Sequence, residues 1–147
     1  MRIPRCLLLL LLPACAAAAS PTLRVEQAWI RAAPPGAAML AGYATLHNDG
    51  DAAVLVKPCA SAGFEAVSLH ETTQVDGISR MRPLPQLEVP AHATVALQPG
   101  GLHLMLEGPK AVPEAGGQVA LCLAIDGVET LVAFAVRRTP TDAHQHH

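Results

Sequence analysis

Residues 70–105 read HETTQVDGISRMRPLPQLEVPAHATVALQPGGLHLM, in which turn pairs such as Asp76-Gly77 separate short alternating runs that are typical of β-strands. The stretch also carries two imidazole and two thioether side chains. They are, in chain order, His70, Met81, His103 and Met105. Neutral nitrogen and sulfur donors, with no thiolate or carboxylate among them, suit Cu(I) better than Zn(II), Mg(II) or Ca(II). The stretch therefore predicts a Cu(I) site, provided that the fold brings the four side chains together.

The rest of the chain continues the same pattern and predicts an all-β sandwich or barrel. Helical periodicity is nearly absent, and Gly, Pro, Asn and Asp recur where strands must reverse. The predicted strands cover residues 23–31, 38–47, 53–58, 65–72, 77–82, 94–97, 102–107, 118–125 and 130–137. A chain of 147 residues with 51% hydrophobic content can build one core. We expect one β domain over residues 20–138.

His103 and Met105 are two residues apart in a predicted strand, so their side chains point to the same face of the sheet. The residues that alternate with them are Leu102, Leu104 and Leu106. Leucine therefore fills the core side of this strand, and the other side is free to bind a metal.

His70 and Met81 are related by a predicted hairpin. If Asp76-Gly77 is its two-residue turn, Met81 lies opposite Thr72. Since Thr72 and His70 share a face, Met81 and His70 become diagonal neighbours, about 7–8 Å apart at Cα. A bulge or a longer loop would shift this register, and nothing in the sequence joins the hairpin to the strand of His103.

Three other His and Met residues are not predicted to bind a metal. Met39 lies beside Leu40 in an apolar run, and we expect its flexible thioether to fill core space. His47 and His92 are expected on the surface, with no evident role.

The first residues predict a secretory signal peptide over residues 1–19. Arg2 and Arg5 precede an apolar run at residues 7–12, and small residues follow up to position 20. The run is too short to span a bilayer, and no later stretch approaches about 20 consecutive apolar residues. We therefore expect export to a bacterial-type periplasm, with no transmembrane span.

The cysteines leave two questions open. The sequence Leu12-Pro13-Ala14-Cys15 loosely resembles a lipobox, so lipidation at Cys15 is the alternative to simple cleavage. Cys59 and Cys122 remain in the mature chain. In an oxidising compartment they either form a disulfide or stay as buried thiols, and the sequence favours neither.

Charge and aromatic content exclude one class of partner. The formal net charge is −2, and loss of the signal peptide with its two basic residues would leave −4. No basic cluster exists, and 3% aromatic residues provide no stacking platform. Nucleic-acid binding is therefore not predicted.

The C-terminal segment, residues 139–147, is short and polar and is predicted to be a flexible tail. It contains three histidines, His144, His146 and His147. Neutral imidazoles on a mobile chain can capture Cu(II), so the tail is a candidate secondary copper site.

The spacing of the four central ligands, His-x10-Met-x21-His-x-Met, resembles that of the periplasmic CuA-chaperone family PCu(A)C. Both long gaps match, and the similarity extends over nearly the whole mature chain. It includes Trp29-x-Arg31, Pro34-Pro35-Gly36 and Gly42-Tyr43. One position departs from the pattern: many members carry Met directly after the first His, where this chain has Glu71.

This resemblance implies a cupredoxin-like Greek-key β-sandwich or barrel that binds one Cu(I) at an exposed site and hands it on. The recipient in the family is the CuA centre in subunit II of cytochrome c oxidase, loaded directly or alongside a Sco-type copper protein. Some members use His/Met-rich tails for a second ion, as Cu(II). The protein is then a monomeric chaperone and not an enzyme.

Other functions compete with this one. A copper buffering or resistance protein would share the ligands but lack the oxidase client, and a non-metal β-sandwich interaction module would leave them unexplained. A blue-copper electron carrier needs Cys, His and Met close together, whereas Cys122 is followed by no His or Met before the tail. No Ser/His/Asp or paired-carboxylate arrangement suggests an enzyme.

Overall fold

The computed structural model describes residues 22–139, and these form ten β-strands. The strands are β1 (Leu23–Arg31), β2 (Met39–Asn48), β3 (Val54–Pro58), β4 (Ala66–Val75), β5 (Ile78–Leu84), β6 (Leu87–Val89), β7 (Thr94–Leu97), β8 (Leu102–Glu107), β9 (Gln118–Ile125) and β10 (Val128–Arg137). The predicted all-β class is confirmed. Within this part of the chain there is no helix long and apolar enough to cross a membrane.

All the strands belong to one sheet that wraps around the core. Its order is β5-β4-β8-β2-β1-β10-β9-β3-β6, and β7 pairs with the second half of β2. Only β1 and β10 pair in parallel among these strands. Because β8 lies between β4 and β2, the hairpin of His70 and the strand of His103 become neighbours.

The strand of His103 divides between core and surface as its alternation predicts. Leu104 and Leu106 are 3% and 0% exposed, while His103 and Met105 on the other face are only partly buried. Burial of each such leucine contributes about 1.5–3 kcal/mol to folding. The core therefore fixes which side of β8 faces outward.

The turn between β4 and β5 sets the register of the hairpin. Asp76 and Gly77 both have positive φ, 52° and 76°, as a two-residue type I′ turn requires. Val75 consequently pairs with Ile78, and Thr72 pairs with Met81. The predicted register is confirmed, and β4 and β5 extend further than the sequence indicated.

One strand, β6, was not predicted. It has three residues, Leu87–Val89, and prolines at positions 85 and 90 flank it, so the sequence shows no alternating run. Tertiary contacts hold it in place. The buried Asn48 side chain donates hydrogen bonds to the carbonyl oxygens of Val89 (3.0 Å) and Pro90 (3.1 Å).

The structure settles the state of the two mature-chain cysteines. Cys59, just after β3, forms a disulfide with Cys122 on β9, with Cα atoms 5.1 Å apart. The Ser61 hydroxyl accepts a hydrogen bond from the Cys122 amide at 2.8 Å. In the strand order, β2, β1 and β10 separate β9 from β8.

Removal of this disulfide should destabilise the fold. We expect Cys59→Ala/Cys122→Ala to lower the free energy of unfolding by up to about 4 kcal/mol, since the bond joins positions 63 residues apart. Urea unfolding followed by circular dichroism measures the change. Wild-type protein kept in reductant is the control and should behave like the double variant. Equal stability of the oxidised wild type and the double variant would contradict the structural role of the bond.

Candidate metal centre

The four predicted ligands lie on one face of the sheet, on strands β5, β4 and β8. His70 on β4 pairs directly with His103 on β8. Met105 pairs with Ser68, and Met81 pairs with Thr72. Directly opposed residues share a face, and so do residues two apart in a strand. We call the surface formed by His70, Met81, His103 and Met105 the His/Met face.

The two imidazoles form the centre of this face. The rings of His70 and His103 are stacked, with centroids 5.9 Å apart and an interplanar angle of 20°. This pairing joins the hairpin to β8, which the sequence alone left undecided. It places two nitrogen donors side by side on adjacent strands.

A backbone contact orients the His103 ring. Its Nδ1 lies 3.0 Å from the carbonyl oxygen of Gly101. A carbonyl oxygen can only accept, so Nδ1 carries the proton and donates this bond. The Nε2 atom of His103 therefore keeps a free lone pair, and the carbonyl fixes the orientation in which it can bind a metal.

The surroundings of His70 favour its neutral form. Partial burial lowers the pKa of His70 below its ordinary value, and the nearby His103 lowers this pKa further. The Glu107 carboxylate opposes both effects. The Ser68 hydroxyl lies 3.4 Å from Nδ1 of His70. Neutral imidazole is the form that binds metals, so the lowered pKa of His70 favours metal binding at this residue.

The two thioethers flank the imidazole pair on opposite sides. Met105 lies opposite Ser68, two residues before His70, and Met81 lies opposite Thr72, two residues after it. Met81 is on β5 at the end of the strand order and is 53% exposed. The donors thus form a row across the sheet that is accessible from solvent at the Met81 end.

The expectation that Met39 fills the core is wrong. It is 58% exposed, and its neighbour Leu40, at 5%, occupies the core instead. Met39 pairs with Glu107 on β8, which puts its side chain on the same side of the sheet as Met105. Successive residues of a strand face opposite sides, so a core position for Leu40 would have predicted an outward position for Met39.

Glu71 does not contribute to the His/Met face. It directly follows His70 in β4 and so points to the opposite side of the strand. Its carboxylate accepts hydrogen bonds from Arg82 at 2.6 and 2.9 Å. This residue stands where many PCu(A)C members carry Met, and here it forms a surface ion pair with the adjacent strand.

The histidines predicted to lie on the surface make polar contacts of their own. His47 contacts Thr94 at 2.9 Å and Glu26 at 3.1 Å, and His92 contacts Asp51 at 2.7 Å. None of these contacts involves a residue of the His/Met face.

The protein is thus an all-β domain that carries a row of imidazole and thioether side chains on one sheet face. The chain belongs to the LpqE-like family, whose model, described as "Putative lipoprotein LpqE-like", matches residues 23–136. It is also 34% identical over 116 residues to "Putative lipoprotein Lxx21020" of Leifsonia xyli subsp. xyli (strain CTCB07). That match covers 78% of this chain and 69% of the relative.

Solved structures with the same fold identify the architecture further. The Cu(I) form of DR1885 from Deinococcus radiodurans is 31% identical, with a TM-score of 0.67 over 86% of this chain and 85% of that chain. The apo PCuAC domain of PmoF1 is 22% identical, with a TM-score of 0.69 over 83% of this chain and 98% of that chain. The predicted cupredoxin-like fold and the resemblance to PCu(A)C proteins are confirmed.

The two causes that depress the pKa of His70 can be separated in the metal-free protein. In His103→Gln, we expect this pKa to rise without reaching the ordinary value of about 6.5, because burial, the larger cause, remains. An NMR titration of the imidazole carbon-bound protons measures it. His92→Gln is the matched control and should leave the pKa of His70 unchanged.

The same pKa shift affects stability. Since folding lowers the pKa of His70, the unfolded chain takes up this proton more readily. The resulting loss of stability begins as the pH falls below about 6.5, the pKa of the unfolded chain, and is complete below the pKa of His70 in the folded protein.

In the NMR titration, a His70 pKa that does not respond to His103→Gln would contradict the coupling between the two rings.

Proposed function

We propose that this protein is an exported copper chaperone that binds one Cu(I) ion through His70, Met81, His103 and Met105. The observation that carries the proposal is the direct pairing of His70 with His103, with one thioether on each side of the pair on the same face. The similarity to the Cu(I) form of DR1885 supports copper as the metal.

The donor set suits the task of holding and releasing Cu(I). All four donors are neutral, so the ion keeps its single positive charge, and soft thioethers favour Cu(I) over harder divalent ions. Cys59 and Cys122 are bonded to each other and are not free thiolates, and the sulfur donors of the His/Met face are methionines. Thioethers do not form disulfides, although oxidation to the sulfoxide would remove them as ligands.

The exposed position of the face supports transfer over permanent storage. Met81 is 53% exposed, so a docking protein can approach the donor row from this side. Copper passes to the partner by exchange of metal–ligand bonds, and the copper stays as Cu(I) throughout. We therefore infer a binding and delivery role, with no enzymatic reaction.

A competition assay tests the copper site. We expect the wild type to take one equivalent of Cu(I) from a chromophoric Cu(I) chelator, and His103→Ala/Met105→Ala to bind at least about 100-fold more weakly, because two direct donors are lost. His92→Ala is the matched control, since the side chain of this exposed histidine contacts Asp51 and lies outside the His/Met face. Unchanged affinity in the double variant would place the copper site elsewhere. Failure of the wild type to take up Cu(I) would favour the non-metal interaction module.

We also propose the oxidase client. The copper would go to the CuA centre in subunit II of cytochrome c oxidase, directly or together with a Sco-type copper protein. The alternative is a buffering or resistance role that uses the same ligands without this client.

Copper delivery separates the two roles. We expect the Cu(I)-loaded full chain to metallate the apo soluble domain of subunit II, alone or with a reduced Sco-type protein, because exposed thioethers exchange readily with an incoming ligand. The CuA absorption spectrum after oxidation measures transfer. The control is His103→Ala/Met105→Ala mixed with the same amount of Cu(I), in which most of the copper is not bound to the protein. Retention of all copper by the wild type under both conditions would favour buffering.

Two further parts of the proposal concern residues outside those that the structure describes. The signal peptide over residues 1–19 would direct the chain to the periplasm, and the names of the relatives make lipidation at Cys15 the alternative to simple cleavage. The mass of the mature N-terminal peptide distinguishes the two. Cu(II) capture by His144, His146 and His147 stays a prediction from the sequence.

A further inference from the structure

The distribution of methionine in this chain is uneven. The sequence contains four methionines, of which one is the initiator. The other three, Met39, Met81 and Met105, all lie on the side of the sheet that carries the His/Met face. The buried core instead uses aliphatic residues and Phe134. Methionine is thus confined to the surface on which soft donors are useful.

The register places Met39 at the end of the donor row. Ala41 pairs with Met105, and Met39, two residues earlier, pairs with Glu107. Met39 is therefore a diagonal neighbour of Met105, at a distance of about 7–8 Å between Cα atoms, which long side chains can close. The row continues from β8 onto β2, away from Met81.

A shared depression supports the same juxtaposition. Met39, His103 and Met105 line one open cavity of about 260 Å³ on the protein surface. Its other walls are mostly small, with Ala33 and Ala41 among them. Two thioethers and one imidazole therefore border a common space that is open to solvent.

Packing does not explain Met39. At 58% exposure it fills no core gap, and a polar residue would cost less in water at this position. A methionine that is more than half exposed is informative when it borders an imidazole and a second thioether.

We propose that Met39 is an additional Cu(I) ligand, which forms a second donor set with His103 and Met105 on the β2 side of the site. This inference rests on the proposed function, because it extends the same copper site. Movement into this set forms a Cu–S bond to Met39 and breaks the bonds to His70 and Met81, while the bonds to His103 and Met105 are kept and the copper remains Cu(I). The second set contains one imidazole where the first contains two, so it holds the ion less tightly and suits release.

Two charges border the second set. The Arg31 guanidinium lines the depression and lies over the Tyr43 ring, 5.9 Å from its centroid. It disfavours a cation, whereas the Glu107 carboxylate, on the residue opposite Met39, favours one. The two charges therefore act on a bound cation in opposite directions.

Methyl NMR tests the assignment directly. Full-length protein labelled with 13C at the methionine methyl groups is titrated with Cu(I) without oxygen, and Met39→Leu identifies the Met39 signal. We expect the signals of Met39, Met81 and Met105 to shift together and to saturate at one equivalent. Leu131→Met supplies the matched control, because Leu131 is 74% exposed on β10, two strands beyond β2. The signal of this added methionine should not move.

Affinity and the rate of release give the second measurement. We expect Met39→Leu, which keeps the side-chain volume and removes the sulfur, to lower the Cu(I) affinity by at most about twofold, because the tighter first set is intact, and to slow the loss of Cu(I) to an excess of chelator. Met105→Leu removes a donor of both sets and should weaken binding by about tenfold. An unshifted Met39 signal, or an unchanged rate of Cu(I) loss in Met39→Leu, overturns the inference and leaves the proposed function standing. If no methionine signal responds to Cu(I), the proposed function is refuted and this inference is refuted with it.

Discussion

The pairing of β4 with β8 is the constraint on which the candidate site depends. It places His70 opposite His103, and the same register places Leu69 opposite Leu104 on the buried side. A slip of one residue would turn these two leucines, each 3% exposed, out of the core. The hydrophobic effect therefore holds the imidazoles together, although the imidazoles contribute little to the core themselves.

The two thioethers of the proposed site depend on more local features. The type I′ turn at Asp76-Gly77 fixes the position of Met81, since both turn residues need positive φ that this pair accepts at low cost. Met105 needs no turn, because it follows His103 by two residues in the same strand. Local geometry thus positions each half of the site, and the β4–β8 register joins the halves.

This division explains how much could be predicted from the sequence. Alternation and turn residues predicted nine of the ten strands, and the Asp-Gly turn predicted the pairing of Thr72 with Met81. The pairing of β4 with β8 involves residues 33 positions apart, His70 and His103, and no local signal specifies such a contact. The three-residue β6 and the disulfide could not be derived for the same reason. Asn48, far away in the sequence, holds β6, and the two cysteines of the disulfide are 63 residues apart.

Met39 shows how a local signal can be present and still be misjudged. Its apolar neighbours suggested core packing, but in a strand only every second residue faces the core, and Leu40 occupies that position. Once β2 is known to pair with β8, the same alternation puts Met39 beside Met105. The position of a methionine side chain therefore depends on which residues of the strand face the core more than on the hydrophobicity around it, and on β2 this alternation is set by the apolar core.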